Sequence, residues 1–267
     1  MIHLRAIELG ETAVSSPQFP FNIPALQDLP ELTFSMPVTF LVGENGSGKS
    51  TLLEALATAV GSITIGAVDA ERDPTLQPVR QLANQLKLVW QKRTRAGFFL
   101  RAEDFFGYVK RLGQMRADLE ADLHRVDAEY DGRSEYAKGL ARMPYARELG
   151  TMKGQFDRSL DSFSHGESFL ELFQSRFRSG GLYLLDEPEV PLSPSRQLTL
   201  ISLLKQMVEQ DSQFIIATHS PILLAFPGAE ILSFDERPLQ SVAYEELVHV
   251  TLTRSFLNNP NQYLRYL

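Results

Sequence analysis

Apolar and polar positions change their period several times along the chain, and each change marks an element. Residues 2–9 and 31–35 read as strands, separated by a loop rich in Pro, Phe and Asn between 15 and 30. Residues 38–42 form a short apolar run, a buried strand that leads directly into GENGSGKST at 43–51 and then into an apolar helix at 52–60 stopped by Gly61. Two further strands are expected at 86–91 and 97–101, flanking the basic turn Lys92-Arg93-Thr94-Arg95. From 104 to 130 the apolar residues Phe105, Val109, Leu112, Met115, Leu119, Leu123, Val126 and Tyr130 recur every three or four positions with charge between them. That spacing predicts a long amphipathic helix with a narrow seam, reaching about 39 Å. A polar break at Asp131-Gly132-Arg133-Ser134 and a weaker helical stretch to 148 follow; then come a strand at 182–185, a helix at 194–209, a strand at 214–217 and a mixed tail. No internal repeat or low-complexity segment interrupts this order.

Short buried strands alternating with helices predict an α/β fold. A chain of 267 residues with 43% apolar content supports one substantial core and a smaller lobe. A formal net charge of −7 argues against a surface built as a whole to attract nucleic acid or anionic lipid. Lys92, Arg93, Arg95 and Arg101 remain a candidate local nucleic-acid contact, against the simpler reading of solvated basic residues at a hairpin turn. The absence of cysteine excludes disulfides, thiolate metal sites and a cysteine nucleophile, and fits a cytoplasmic protein. The first ten residues carry no secretory signal pattern, and no apolar run approaches about 18 residues, so no membrane insertion is expected.

The segment 43–51 fulfils G-x-x-x-x-G-K-[ST] between a predicted strand and a predicted helix, the setting that motif requires. Gly43, Gly46 and Gly48 permit a backbone turn tight enough to aim consecutive N–H groups at a polyphosphate, and the helix N-terminus adds partial positive charge. The predicted phosphate cradle is Gly43, Glu44, Asn45, Gly46, Ser47, Gly48, Lys49, Ser50 and Thr51, with Lys49 reaching the β- and γ-phosphates and the Ser50 hydroxyl ligating Mg²⁺. A glycine-rich turn without a ligand competes poorly with that order of residues.

At 182–188 an apolar strand ends in two adjacent carboxylates, Asp186 and Glu187. Successive strand side chains alternate faces, so the two cannot share one task. Asp186 is placed to hold the Mg²⁺ hydration shell, and Glu187 to orient or deprotonate the attacking water. Alone, such a strand end is more simply a polar terminus; beside the glycine loop the preference reverses. A third apolar strand carries His219 just past its carboxyl end, where ligands collect in doubly wound sheets.

The order of glycine loop, Ser164-His165-Gly166-Glu167-Ser168, the LLDEP segment ending at Pro188, and the ATHS segment ending at Ser220 resembles ABC-type P-loop ATPases. Within that class it resembles stand-alone SMC-like and RecF-like ATPases of the AAA family more than transporter subunits, over residues 2 to about 245. The resemblance implies a mixed sheet flanked by helices with a helical insertion lobe: 1–103 and 161–267 as the two parts of the ATPase core, and 104–160 as the insertion. It implies ATP and Mg²⁺ as cofactors, and ATP hydrolysis with Lys49, Glu187 and His219 as catalytic residues. It further implies a head-to-tail homodimer in which Ser164, Gly166 and Glu167 bind the γ-phosphate held by the opposite protomer. The same segment has the pattern of a capping box, Ser164 with Glu167 three residues on, and both readings can hold at once.

Several positions depart from the family pattern. Ser193 stands where its D-loop usually ends in aspartate, and equally reads as the cap of a helix with Pro194 at its first position. The Q-loop position, a metal ligand, falls to Glu103 or to Gln91. Phe21 lies where the family places an aromatic that stacks on adenine, with Phe19 close by. Two functions follow: an ATP-driven dimerising switch acting on DNA or a partner protein in genome maintenance or defence, or the ATP-binding subunit of a membrane transporter. The SHGES signature, DEPE in place of DEPT and the Q-loop favour the first.

Overall fold

Three runs that are apolar throughout or nearly so become the centre of one sheet. The strands are β1 (Leu4–Leu9), β2 (Glu31–Thr33), β3 (Val38–Val42), β4 (Thr64–Ile65), β5 (Leu86–Trp90), β6 (Phe99–Arg101), β7 (Leu182–Asp186), β8 (Gln213–Ala217), β9 (Glu230–Ser233) and β10 (Gln240–Ser241). Seven of them lie in the order β10-β9-β3-β8-β7-β6-β4, and three form a second sheet, β2-β1-β5. In the large sheet only the β9–β10 pair is antiparallel. Every residue of β3, β7 and β8 is buried, as expected of parallel strands covered on both faces. The structure, a computed structural model, describes residues 1–10, 18–27, 31–65, 77–155 and 165–265.

Most helices fall where the apolar periods predict them; the one at Gln77–Gln85 is not among those expected, and the first begins at Lys49, three residues ahead of the predicted 52. Helix α1 (Lys49–Val60) leaves the glycine loop and buries Leu52, Leu53, Ala55 and Leu56. It ends as the sequence predicts: Gly61 takes φ 72°, its N–H donates to Thr58 O, and the Ser62 N–H donates to Ala57 O. Helix α2 (Gln77–Gln85) buries Val79, Leu82 and Ala83. Beyond it the chain forms α3 (Ala102–Glu129), α4 (Glu135–Gln155), α5 (His165–Arg176), α6 (Pro194–Glu209) and α7 (Val248–Asn258). Ser193 does occupy the N-cap position of α6, with Pro194 at the first turn, but its hydroxyl meets Ser195 Oγ at 3.1 Å instead of a backbone N–H.

The basic turn does not join a hairpin. β5 pairs antiparallel with β1 in the small sheet, while β6 pairs parallel with β7 in the large one. Gly97 is the reason: it adopts φ 121°, and a Cβ there would fall 1.8 Å from Leu182 O, so only glycine allows the chain to run this close against β7. Lys92, Arg93 and Arg95 are exposed on this connection.

The two sheets are pinned by one buried amide. Gln213, fully buried at the start of β8, accepts from His3 N and Leu4 N at 2.8 Å each, and its Nε2 donates to Leu4 O at 2.9 Å. The His3 ring bridges Lys92 O and Asp211 O at 3.1 and 2.7 Å. These contacts fasten the small sheet to the amino-terminal ends of the parallel strands.

The chain separates into two compact units, Met1–Ala102 with Phe177–Leu267, and Glu103–Arg176. The second is longer than the expected insertion, 104–160, because it also contains α5. In it Phe105 of α3 meets Phe169 edge-on at 4.7 Å, and Phe169 meets Phe173 in the same way. Asp127 of α3 accepts from Arg142 of α4 at 2.9 Å.

Replacing Gln213 by alanine strands three buried backbone groups. Stability in urea unfolding is expected to fall by about 2–4 kcal/mol; a loss below about 1 kcal/mol would mean that this amide does not hold the sheets together.

Candidate functional site

The carboxyl ends of β3, β8 and β7 deliver the glycine loop, His219 and the paired carboxylates to one place. Gly43, Gly46 and Gly48 take φ values of 148°, 82° and 106°, the left-handed region that the motif demanded. Gly48 also has no room for a side chain, since a Cβ would lie 2.5 Å from Ile23 Cγ2. Lys49 opens α1, and its ammonium donates to Gly43 O at 2.7 Å and Glu44 O at 2.8 Å. Burial lowers the Lys49 pKa, opposed by Asp235, Glu187 and Asp186.

The Ser50 hydroxyl donates to Asp186 Oδ1 at 3.1 Å. Asp186 is 6% exposed, and burial pushes its carboxyl up to about 6 against the opposing bond from Ser50. Alongside, Arg101 and Glu54 form an ion pair at 2.6 Å. A hard dication fits this spot, because a buried carboxylate with an adjacent hydroxyl is an all-oxygen donor set short of positive charge. Among the described residues no group of three or more His, Cys, Asp or Glu side chains could hold a metal, so the remaining ligands would be phosphate and water.

Glu187 adopts φ 51°, rare for a residue with a side chain and costing of order 1 kcal/mol. Its N–H donates to Ala217 O at 2.9 Å, and its Oε1 lies 4.0 Å from His219 Nε2. The left-handed turn ends the strand and swings Glu187 toward the loop while Asp186 stays buried, separating the two carboxylates. Burial, then Lys49, lower the His219 pKa, so the ring is neutral at pH 7.

A cavity of about 290 Å³ is lined by Phe19, Asn45, Gly46, Gly48, Lys49, Ser50, Thr51 and Glu187, with Ile23. The aromatic in it is Phe19 and not the predicted Phe21, which packs against the hydrophobic core. Of the Q-loop candidates, Gln91 follows β5, and its N–H donates to His3 O beside the Gln213 pin, away from the carboxyl ends of the parallel strands. Glu103 comes two residues after Arg101, the register partner of Asp186, and opens the second unit. Of the signature residues, Ser164 lies outside the described residues, and Gly166 and Glu167 stand in the first turn of α5. The proposed capping box falls outside with Ser164.

Three site residues went unnoticed in the sequence. Asp235, past β9, accepts from Glu44 N at 2.8 Å and braces the glycine loop. Glu189 accepts from His219 N at 2.8 Å. His249 of α7 lies within electrostatic reach of His219, its pKa lowered by burial first and by His219 next. Only the DEPE sequence hinted at one of them; the other two, one past β9 and one on α7, belong to no motif.

A parallel sheet that presents a glycine loop, a buried aspartate and a histidine at one edge defines a P-loop nucleotide hydrolase. A family model described as ABC transporter matches residues 33–190, and the chain belongs to that family of ATPases. An AAA domain model matches residues 172–225. The chain is 24% identical over 221 residues to the vitamin B12 import ATP-binding protein BtuD of Vibrio atlanticus, covering 80% of each. It is also 24% identical over 227 residues to the energy-coupling factor transporter ATP-binding protein EcfA2 of Spiroplasma kunkelii, covering 81% of this chain and 68% of the relative. Among solved structures, the Smc head domain of Pyrococcus furiosus bound to the C-terminal domain of ScpA aligns with a TM-score of 0.48 at 12% identity, over 96% of this chain and all of that one. As a member of this family the protein is an ATP-binding ATPase.

The buried carboxylate sets a pH dependence. An acid whose pKa rises from 3.8 to about 6 on folding carries no penalty below the lower value and the full penalty above the upper one. Asp186→Asn is therefore expected to match wild-type stability near pH 4. It should exceed it at pH 7.5 by up to about 3 kcal/mol in denaturant titration without nucleotide. A difference independent of pH would mean that burial does not raise the Asp186 pKa.

Proposed function

We propose that the protein is an ATP-driven switch: two copies close head to tail on two ATP molecules, hydrolyse them, and separate. The observation that carries this is the convergence of Lys49, Ser50, Asp186, Glu187 and His219 in one compact unit. Ser164, Gly166 and Glu167 match the segment that completes the partner's site in ABC-type proteins.

Each side chain then has one task. Loop N–H groups and the Lys49 ammonium bind the β- and γ-phosphates. Ser50 and Asp186 would hold Mg²⁺, which when bound neutralises charge on the phosphates. Glu187 orients the attacking water and takes its proton. His219, neutral and 4.0 Å from the Glu187 carboxylate, hydrogen-bonds the γ-phosphate and keeps water and base aligned. Phe19 supplies an apolar face beside the cradle for the adenine.

The SHGES signature and the DEPE turn support a freestanding switch acting on DNA or a protein partner. The names of the curated relatives favour the other assignment, an ATP-binding subunit of a membrane transporter. No described helix is long and apolar enough to cross a membrane.

Lys49→Ala is expected to abolish nucleotide binding or turnover. Glu187→Gln should keep ATP affinity while steady-state hydrolysis falls by about 10²–10⁴; equal rates would remove Glu187 from the mechanism.

Light scattering of Glu187→Gln with and without Mg·ATP tests the switch. A doubling of mass supports closure of two copies; monomers with ATP bound would refute self-closure. Affinity for DNA that falls with salt would support the DNA version, and stoichiometric co-purification with an integral membrane protein the transporter one.

A further inference from the structure

The β7–β8 ladder ends at the pair Asp186 and Ala217, yet the two chains stay tied for three residues more. Glu187 N–H donates to Ala217 O at 2.9 Å, Pro188 has no N–H to give, and Glu189 then reaches across with its side chain, Oε1 accepting from His219 N at 2.8 Å. A carboxylate thus takes the place of the next backbone carbonyl. The turn carrying it is itself fixed, with Val190 N donating to Glu187 O at 3.1 Å and Leu192 N to Glu189 O at 2.8 Å. On the other side of the histidine, the Ser220 hydroxyl donates to Gln197 Oε1 at 2.5 Å and accepts from Ile222 N and Leu223 N at 3.2 Å.

We infer that Glu189 is the positioning residue for His219, holding its backbone N–H so that the imidazole stays opposite Glu187. The inference rests on the proposed role of His219 in hydrolysis. Glu187 and Glu189 sit two residues apart on one turn, so the same segment that aims the base also anchors the histidine. Their alignment, read as the 4.0 Å between Glu187 Oε1 and His219 Nε2, is then set inside one protomer. Burial raises the Glu189 pKa, opposed first by the His219 N–H bond and next by the Thr218 hydroxyl, so the carboxylate is kept there at a cost that its contacts must offset. A threonine, the residue of the DEPT pattern, is two bonds shorter and cannot span to His219 N.

The test compares wild type, Glu189→Ala, Glu189→Gln, His219→Ala and the double variant Glu189→Ala/His219→Ala in steady-state hydrolysis of Mg·ATP, with nucleotide affinity measured separately. Glu189→Ala is expected to lower kcat about ten- to hundred-fold while KM and affinity change by less than about two-fold, the size of losing a charged hydrogen bond that acts after binding. Glu189→Gln, whose amide oxygen still accepts the His219 N–H, should retain most of the rate and keep the His219 amide proton downfield in NMR spectra. In the His219→Ala background, Glu189→Ala should add no further loss. If His219→Ala is impaired but Glu189→Ala is not, or if the two losses multiply, the positioning role is refuted while that of His219 stands. If His219→Ala itself turns over at the wild-type rate, the reading of His219 fails and this role falls with it. Should Glu189→Ala not fold, Glu189→Gln decides: a rate near wild type with the amide shift retained supports the role, and a large kcat loss overturns it.

Discussion

Leu41, Ala217 and Asp186 stand side by side on β3, β8 and β7, Leu41 paired with Ala217 and Ala217 with Asp186. This register puts the three strand ends level, so the glycine loop, the His219 segment and the carboxylate pair emerge within reach of one another. A slip of one residue in either pairing would turn every side chain of that strand to the opposite face. Such a slip in β8 would carry the buried Gln213 away from His3 and Leu4, and one in β7 would part the buried Asp186 from Ser50.

Around that edge the protein holds charge where water cannot screen it. Asp186 is raised by burial and Lys49 is lowered by it, two signs of a region that favours compensating charge over isolated ions. Asp235 on the glycine loop and the Arg101–Glu54 pair beside Asp186 extend the same network. A polyphosphate with a dication fits because each brings the charge that the other, and the protein, lack.

The opposite end of the strands is held by different means. Gln213 and the His3 ring bond backbone groups of β1 and of the loop after β5, and the rings of Tyr183 and Phe214 stack with centroids 5.0 Å apart. Mechanical fastening and the candidate site thus lie at opposite ends of one sheet, and residues at the fastening end, Gln91 among them, are remote from the glycine loop.

What the sequence by itself determined were the features encoded within a few consecutive residues. The glycine loop, the strand ending in Asp186 and Glu187, the histidine after β8, the stop of α1 and the start of α6 are local patterns, because backbone turn, strand period and helix cap are each settled by near neighbours. Only the tertiary structure decided what depended on residues far apart. It broke the expected hairpin at Gly97 because β6 approaches β7 there, brought Phe19 to the cavity while Phe21 packed inward, and joined α5 to the insertion through Phe105, Phe169 and Phe173. It also placed Asp235 on the glycine loop and Glu189 on the histidine segment, pairings separated by 191 and 30 residues. A hydrogen bond across that distance has no signature in the sequence, since it exists only once the sheet has set the register that closes it.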